Sequence, residues 1–197
     1  EPAWADQFTE DTGCVVNRRV AGTSDEMVTL MRTGEYDLVS ASGDASLRLI
    51  AAGDVAPINL DLIPNFGDDI VEGMKGQIYD TINGQSYGVP IGRGANILQY
   101  NSEVVTETPE SWSVVWETDS PYAGQITAYD APIYIADAAV YLMYHEPELG
   151  ITNPYALDQT QLDAAIELLK QQNTIVAEYW ADPVAQITSF VGGTTVV

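Results

Sequence analysis

The chain has 197 residues, with 29 Asp and Glu against 7 Lys and Arg, a net charge of −22. Seven scattered bases cannot line a phosphate backbone, so nucleic acid and anionic membrane surfaces are excluded as partners, whereas the summed field draws in cations. An apolar share of 46% suits a globular protein of one large domain or two small lobes, and no apolar run approaches the roughly 20 residues of a membrane span.

The elements follow in chain order. Residues 3–10 read as a helix with Trp4 and Phe8 one turn apart, ended by Thr12-Gly13. Cys14 to Val20 then alternates as a strand, which makes Cys14 a buried strand residue; a single cysteine also excludes an internal disulfide. Ser24-Asp25-Glu26 opens a helix that carries Met27, Val28 and Met31 on one face and stops at Gly34. Tyr36 to Ala41 is a short apolar run of the buried parallel-strand kind. Asp44 is placed to cap a helix bearing Leu47 and Ile50, closed by Gly53, and Val55 to Ile58 begins another extended piece. The order β-α-β-α-β with short connections predicts an open parallel sheet, in which ligands sit beyond the carboxyl ends of the strands. Ser42-Gly43-Asp44 lies at one such end.

Asn83-Gly84 between two extended runs predicts a hairpin. Pro90 to Asn96 is extended and punctuated by Gly92 and Gly94, and Ile97 to Asn101 reads as a strand leaving it. The polar stretch 102–111 suggests a crossing between lobes. Trp112 and Trp116 share one helix face and read as core. Gly124 to Tyr129 is a strand ending at Asp130-Ala131-Pro132, followed by an apolar helix over 133–144 with Ala136, Val140 and Tyr144 on one side. Asp158 to Gln161 has the form of a capping box, with Leu162, Ile166 and Leu169 as the buried stripe behind it. A last helix after Pro183 holds Val184, Ile187 and Phe190, and Val196-Val197 begins a strand. The chain starts at Glu1-Pro2-Ala3-Trp4 without a signal peptide and stops in a strand-like run, so both ends read as truncated. Residues 1–101 carry 15 acids and 6 bases, and residues 102–197 carry 14 and 1.

Catalytic chemistry has little to work with. One histidine, His145, and one cysteine exclude a metal cluster built on His or Cys, and His145 at a helix end is poorly placed for a triad. There is no phosphate loop or dinucleotide fingerprint. Asp68-Asp69 reads as a solvated pair rather than an acid–base couple. The expectation is no enzyme, no catalytic residues, no metal and no cofactor.

Five segments in register carry a resemblance. Gln7-Phe8 through Val15-Val16, Gly34 to Val39, Tyr87-Gly88-Val89-Pro90 through Tyr100-Asn101, Ser111 to Trp116, and Tyr122-Ala123-Gly124 together resemble bacterial ABC-transporter solute-binding proteins, in their spermidine/putrescine-binding branch. The resemblance implies an α/β fold of the periplasmic-binding-protein type II class, with two α/β lobes joined by a hinge. Residues 1–101 would form a partial lobe 1, residues 102–111 the hinge or crossover, and residues 112–197 a partial lobe 2. A first strand would precede Glu1, and the second crossover and the return to lobe 1 would follow Val197.

It also implies a function: capture of a small amine such as putrescine or spermidine, and delivery to the permease subunits of an ABC importer. The protein would be a monomer in the periplasm or at the cell surface, secreted or lipid-anchored through an N-terminus before Glu1. In the family the loop after the second strand touches ligand. Here Ser42 matches its serine, next to Gly43, and Asp44 stands at its aromatic position. Asp130 matches an acid of the second-lobe loop, beside Tyr129, while the next expected acids align with Ala131 and Tyr134. Arg93, with Gly94 and Asn96 in the same segment, stands where polyamine binders tend to have an aromatic.

Chemically, a polyamine site needs carboxylates for the ammonium ends and aromatic walls for the methylenes. Asp44, Asp130, Tyr129 and Tyr134 can supply part of that. Arg93 opposes it and instead suits a carboxylate on a zwitterionic ligand, or else pairs with Asp44 or Asp130. An extracellular sensor without a transport role is the remaining alternative, because fold does not fix function.

Overall fold

The computed structural model of the chain describes residues 3–197. Glu1 and Pro2, at the start that suggests a cut, lie outside the described residues. The chain divides into two compact units, one ending at Ser40 and the other running Ala41–Val197.

The first unit holds helices α1 (Ala3–Thr12) and α2 (Ser24–Met31). As expected α2 opens at Ser24, and Thr23 caps it: its Oγ1 accepts the Glu26 N–H at 3.1 Å, and Glu26 Oε2 accepts the Gly22 N–H at 2.7 Å. The expected strands at 14–20 and 36–41 form no ladder among the described residues. Alternation marks which side chains share a face, but a strand exists only where a neighbour takes its N–H and C=O groups. Cys14 is accordingly exposed, and Leu38 is 87% exposed.

The second unit opens with α3 (Gly43–Ala52), closed as expected by Gly53 in the left-handed conformation at φ 74°. Its buried residues are Ala45 and Leu49 rather than Leu47 and Ile50. Short turns over Leu60–Leu62 and Glu72–Met74 flank a one-turn helix, α4 (Phe66–Asp69). The hairpin β1 (Thr81–Ile82) and β2 (Gln85–Ser86) is antiparallel, with Thr81 opposite Ser86. Asn83 (φ 51°) and Gly84 (φ 78°) turn it as an Asn-Gly pair should. The parallel β-α-β-α-β sheet expected for the first half is not formed among the described residues; this hairpin is its sheet pairing.

The parallel pairing lies further on. Strand β3 (Ile126–Tyr129) pairs with β4 (Val176–Trp180), an element the sequence reading did not contain. On the other side of β3, the Thr127 N–H donates to Val197 O at 2.9 Å and the Val196 N–H to Gln125 O at 2.7 Å. The Asn101 N–H reaches Val196 O at 2.9 Å, so the tail is laid between β3 and the 97–101 segment. The short helix α5 (Ser113–Trp116) precedes β3, and α6 (Tyr134–His145) and α7 (Gln159–Gln172) pack around the pair.

Asp158 and Gln161 close the expected capping box on α7. The helix buries Ala165, Leu168 and Gln172, with Leu162, Ile166 and Leu169 only half-buried at its flanks. On α6 the buried face is Ala136, Ala138, Ala139, Tyr141 and Leu142; Val140 and Tyr144 point outward. The helix is apolar almost all round, so periodicity could not choose its inner face. The last helix, α8 (Pro183–Val191), is capped by Asp182. Of the apolar residues it holds, Val184 and Ile187 are exposed and Phe190 is half-buried. Trp112 and Trp116 also part company, Trp116 buried and Trp112 38% exposed, because α5 is a single turn with Trp112 at its start. No described helix is long and apolar enough to cross a membrane.

Candidate functional site

A seam of aspartates and tyrosines runs through the second unit. It starts at α3. Ser42 sits at the N-cap in extended conformation, but its hydroxyl does not cap the helix; it donates to Asp44 Oδ1 at 2.6 Å. Asp44 therefore lies in the first turn and is not the cap expected for it, although its charge still suits the positive end of the helix. Gly43 has a distinct role. A Cβ built there would come within 2.8 Å of Tyr79 Cγ, so the missing side chain lets the Tyr79 ring lie on the start of α3.

Tyr79 meets Tyr155 edge to face, with centroids 6.0 Å apart and planes at 68°. Tyr155 belongs to the turn before α7, where its N–H donates to Asn153 Oδ1 at 2.9 Å. Burial raises its phenol, and the negative charges of Asp137 and Asp44 raise it further. Asp137 projects from the first turn of α6. Burial lifts its carboxyl above the ordinary 3.8, and the Asn96 Nδ2–H donated to Oδ2 at 2.7 Å pulls the other way. Asn96 thus links the glycine-punctuated segment to α6.

Tyr134, one turn before Asp137, faces inward. Its ring stacks on Trp116 at 5.0 Å, and its hydroxyl accepts from Gln172 Nε2 at 2.8 Å. Burial raises its phenol strongly, with smaller contributions from Asp137 and Tyr179. Beyond it, at the carboxyl ends of the strands, Tyr129 packs against Trp180 at 4.6 Å and the Asp130 N–H donates to Trp180 O at 2.8 Å. Tyr179 is raised by burial and by Asp130.

Of the residues singled out from sequence, Ser42, Gly43, Asp44 and Asn96 gather around Tyr155 and Asp137. Tyr134 adjoins them from the core. Tyr129 and Asp130 sit at the far end of the seam. Arg93 and Gly94 are exposed, and Arg93 makes no ion pair among the described residues, so its pairing with Asp44 or Asp130 is not formed.

Sequence reasoning missed Asp137, Tyr79 and Tyr155 as parts of the arrangement. Asp137 had a signal: it is the one acid in an otherwise apolar α6. Tyr79 and Tyr155 had none, since nothing local joins two residues so far apart in the chain.

A cavity of about 180 Å³ lies on the other side of Tyr134, walled by Ile97, Trp112, Ile187, Phe190 and Val197 among others. No Asp or Glu side chain is among its lining residues. Among the described residues no group of three or more His, Cys, Asp or Glu side chains is arranged to hold a metal.

Residues 3–196 match the family described as bacterial extracellular solute-binding protein. The chain belongs to that family. Its members are solute-binding proteins rather than enzymes. Among solved structures, the chain is similar to the spermidine/putrescine ABC transporter substrate-binding protein PotD from Streptococcus pneumoniae, with a TM-score of 0.62 at 18% identity over 100% of this chain and 57% of that one. It is similar also to the TpPotD lipoprotein of Treponema pallidum, with a TM-score of 0.68 at 18% identity over 98% of this chain and 57% of that one. These likenesses establish the fold, the α/β type II class of periplasmic binding proteins, and the family resemblance read from the five motifs holds. The chain spans 57% of the length of these relatives.

Proposed function

We propose that this chain is part of the substrate-binding component of an ABC importer, and that it captures a small amine and hands it to a membrane permease. The observation that carries the reading is geometric: Tyr79 and Tyr155 meet at 6.0 Å beside the start of α3, Ser42 donates to Asp44 at 2.6 Å, and Asn96 donates to Asp137 at 2.7 Å, with neither carboxylate in an ion pair to a Lys or Arg among the described residues. Carboxylates without a cationic partner favour an ammonium group nearby. The net charge of −22 raises the local concentration of any cation. Residues 42–96 supply one wall, as part of a first lobe over 1–101, and residues 129–180 the other, within a second lobe over 112–197 after the 102–111 crossover. The relatives' printed names, a substrate-binding protein for spermidine/putrescine and a lipoprotein, support a polyamine as ligand and a place in the periplasm or at the cell surface.

A second reading has its own support. Arg93 is exposed on the segment that carries Asn96, and a free guanidinium suits a ligand carboxylate. Titration calorimetry with putrescine, spermidine and 4-aminobutyrate separates the two. The first reading expects saturable heat from the diamine or triamine. Preference for 4-aminobutyrate, lost in Arg93→Ala, would replace it with the second. No saturable heat from any of the three would reject both.

A further inference from the structure

We propose that Gln172 is a positioning residue for this site: from the end of α7 it fixes, through Tyr134, the first turn of α6 that carries Asp137. The inference rests on the amine reading above.

Gln172 is the last residue of α7 and is fully buried. Its amide nitrogen commits both protons to other elements. Nε2 donates to Val115 O in α5 and to the Tyr134 hydroxyl oxygen in α6, each at 2.8 Å. The carbonyl Oε1 has no hydrogen-bond partner among the described residues. A buried acceptor left unpaired costs stability, and an apolar side chain of similar length would fill the space without that cost. What the amide supplies is direction: it dictates where α5 and the start of α6 stand against α7.

The start of α6 depends on such a fixture. Helices α2, α7 and α8 begin on side-chain caps from Thr23, Asp158 and Asp182, but Ile133 at the N-cap of α6 has no side chain able to cap it. The first turn is held instead by Tyr134, whose ring stacks on Trp116 at 5.0 Å and whose hydroxyl accepts from Gln172. The stack sets the plane of the ring, and the hydrogen bond sets how far along it the ring lies. Asp137 sits three residues on, in the same turn, and there its Oδ2 accepts the Asn96 Nδ2–H at 2.7 Å. The contacts thus run from Gln172 to Tyr134, through the α6 turn to Asp137, and on to Asn96. A shift of Tyr134 moves the carboxylate relative to Asn96 and to an ammonium group drawn to it.

The experiment is titration calorimetry of putrescine into the whole chain, with circular-dichroism melting, for Gln172→Met, Tyr134→Phe and the double variant. Gln172→Met keeps the side chain's length and removes the amide. It should weaken putrescine about fivefold, the equivalent of one hydrogen bond. Tyr134→Phe should weaken it to a similar degree, and the double variant no further, because the two groups act as one link. Asp158→Ala, at the opposite end of α7, is the control for lost stability: it should melt lower and bind putrescine unchanged. Hydrogen exchange reads the link without ligand, and the amides of residues 135–138 should exchange faster in Gln172→Met than in Asp158→Ala. If Gln172→Met does not fold, Tyr134→Phe is read in the same way against Asp158→Ala. Putrescine affinity unaltered in Gln172→Met, or losses that add in the double variant, overturns the positioning role and leaves the amine reading standing. Absence of putrescine binding to the unaltered chain overturns the amine reading. The exchange rates then decide the link by themselves, and equal rates in the two variants overturn it.

Discussion

Residues 102–197 and residues 41–101 bury apolar surface in different ways. The first stretch closes a continuous core in which Trp116, Ile126, Ala138, Ala139, Leu142, Ala165 and Val196 touch one another around the β3–β4 pair. The second buries isolated points, notably Ala45 and Leu49 on α3, and otherwise runs as turns, a hairpin and extended segments. Both are rich in apolar residues. The difference is backbone pairing: β3 has a neighbour on each side, so helices α6 and α7 have a surface to cover, whereas the earlier extended runs have no such partner. Asp44 and Tyr79 belong to the sparser stretch, and Asp137 and Tyr155 to the continuous one, with Tyr79 and Tyr155 in contact.

The comparison can be broken most severely at Trp116. It is 1% exposed and packed on Tyr134 and Tyr141. Trp116→Ala should destabilise by about 3–5 kcal/mol, read by chemical denaturation, and should disturb the site through Tyr134. Leu49→Ala in the sparser region should cost about 2–3 kcal/mol, toward the lower end for a buried leucine, because neighbours not tied into a continuous core can close over the gap. Equal losses at the two positions would mean that the regions are packed alike.

Asp158→Ala removes the capping box of α7 and should cost about 1 kcal/mol. Its effect should be confined to melting temperature, with ligand affinity unchanged, since the Asp158 side chain is engaged in its own cap with the Gln161 N–H.

Asp137 gives the subtlest test, one of sign. Folding raises its carboxyl above 3.8, so the folded protein holds that proton more tightly than the unfolded chain. The resulting stability is complete below the ordinary carboxyl range and is lost as pH rises through the raised value. Asp137→Asn should therefore flatten the pH dependence of melting in that window and leave the neutral protein no less stable, while weakening amine binding. Amine affinity in the unaltered chain should fall as acid protonates Asp137. A variant that melts lower at neutral pH and binds as before would put Asp137 in the framework instead.

The legible parts of the fold were those decided within a few residues. Asn83-Gly84 can turn only one kind of hairpin, Gly53 ends α3 with a left-handed residue, and Asp158 with Gln161 satisfies the first turn of α7 locally. What depended on a distant partner was not legible. The 14–20 and 36–41 runs have strand texture but no neighbour to pair with, β4 needed β3 to be recognised, and Val184 and Ile187 of α8 are exposed although their spacing suits a core helix. The same division runs through the site. Ser42, Gly43 and Asp44 were found because they end a predicted strand, and Asp130 because the family resemblance implies an acid in its loop. The Tyr79–Tyr155 contact joins segments with no local relation, and Asp137 was hidden inside a helix read only for its apolar face.

The most direct measurement is native mass spectrometry of the chain held with equimolar putrescine, spermidine and 4-aminobutyrate, alongside the Asp44→Asn/Asp137→Asn double variant. Amine capture between these two carboxylates predicts a one-to-one adduct with putrescine or spermidine that the double variant loses. An adduct that survives the double substitution, or none with either polyamine, would contradict it.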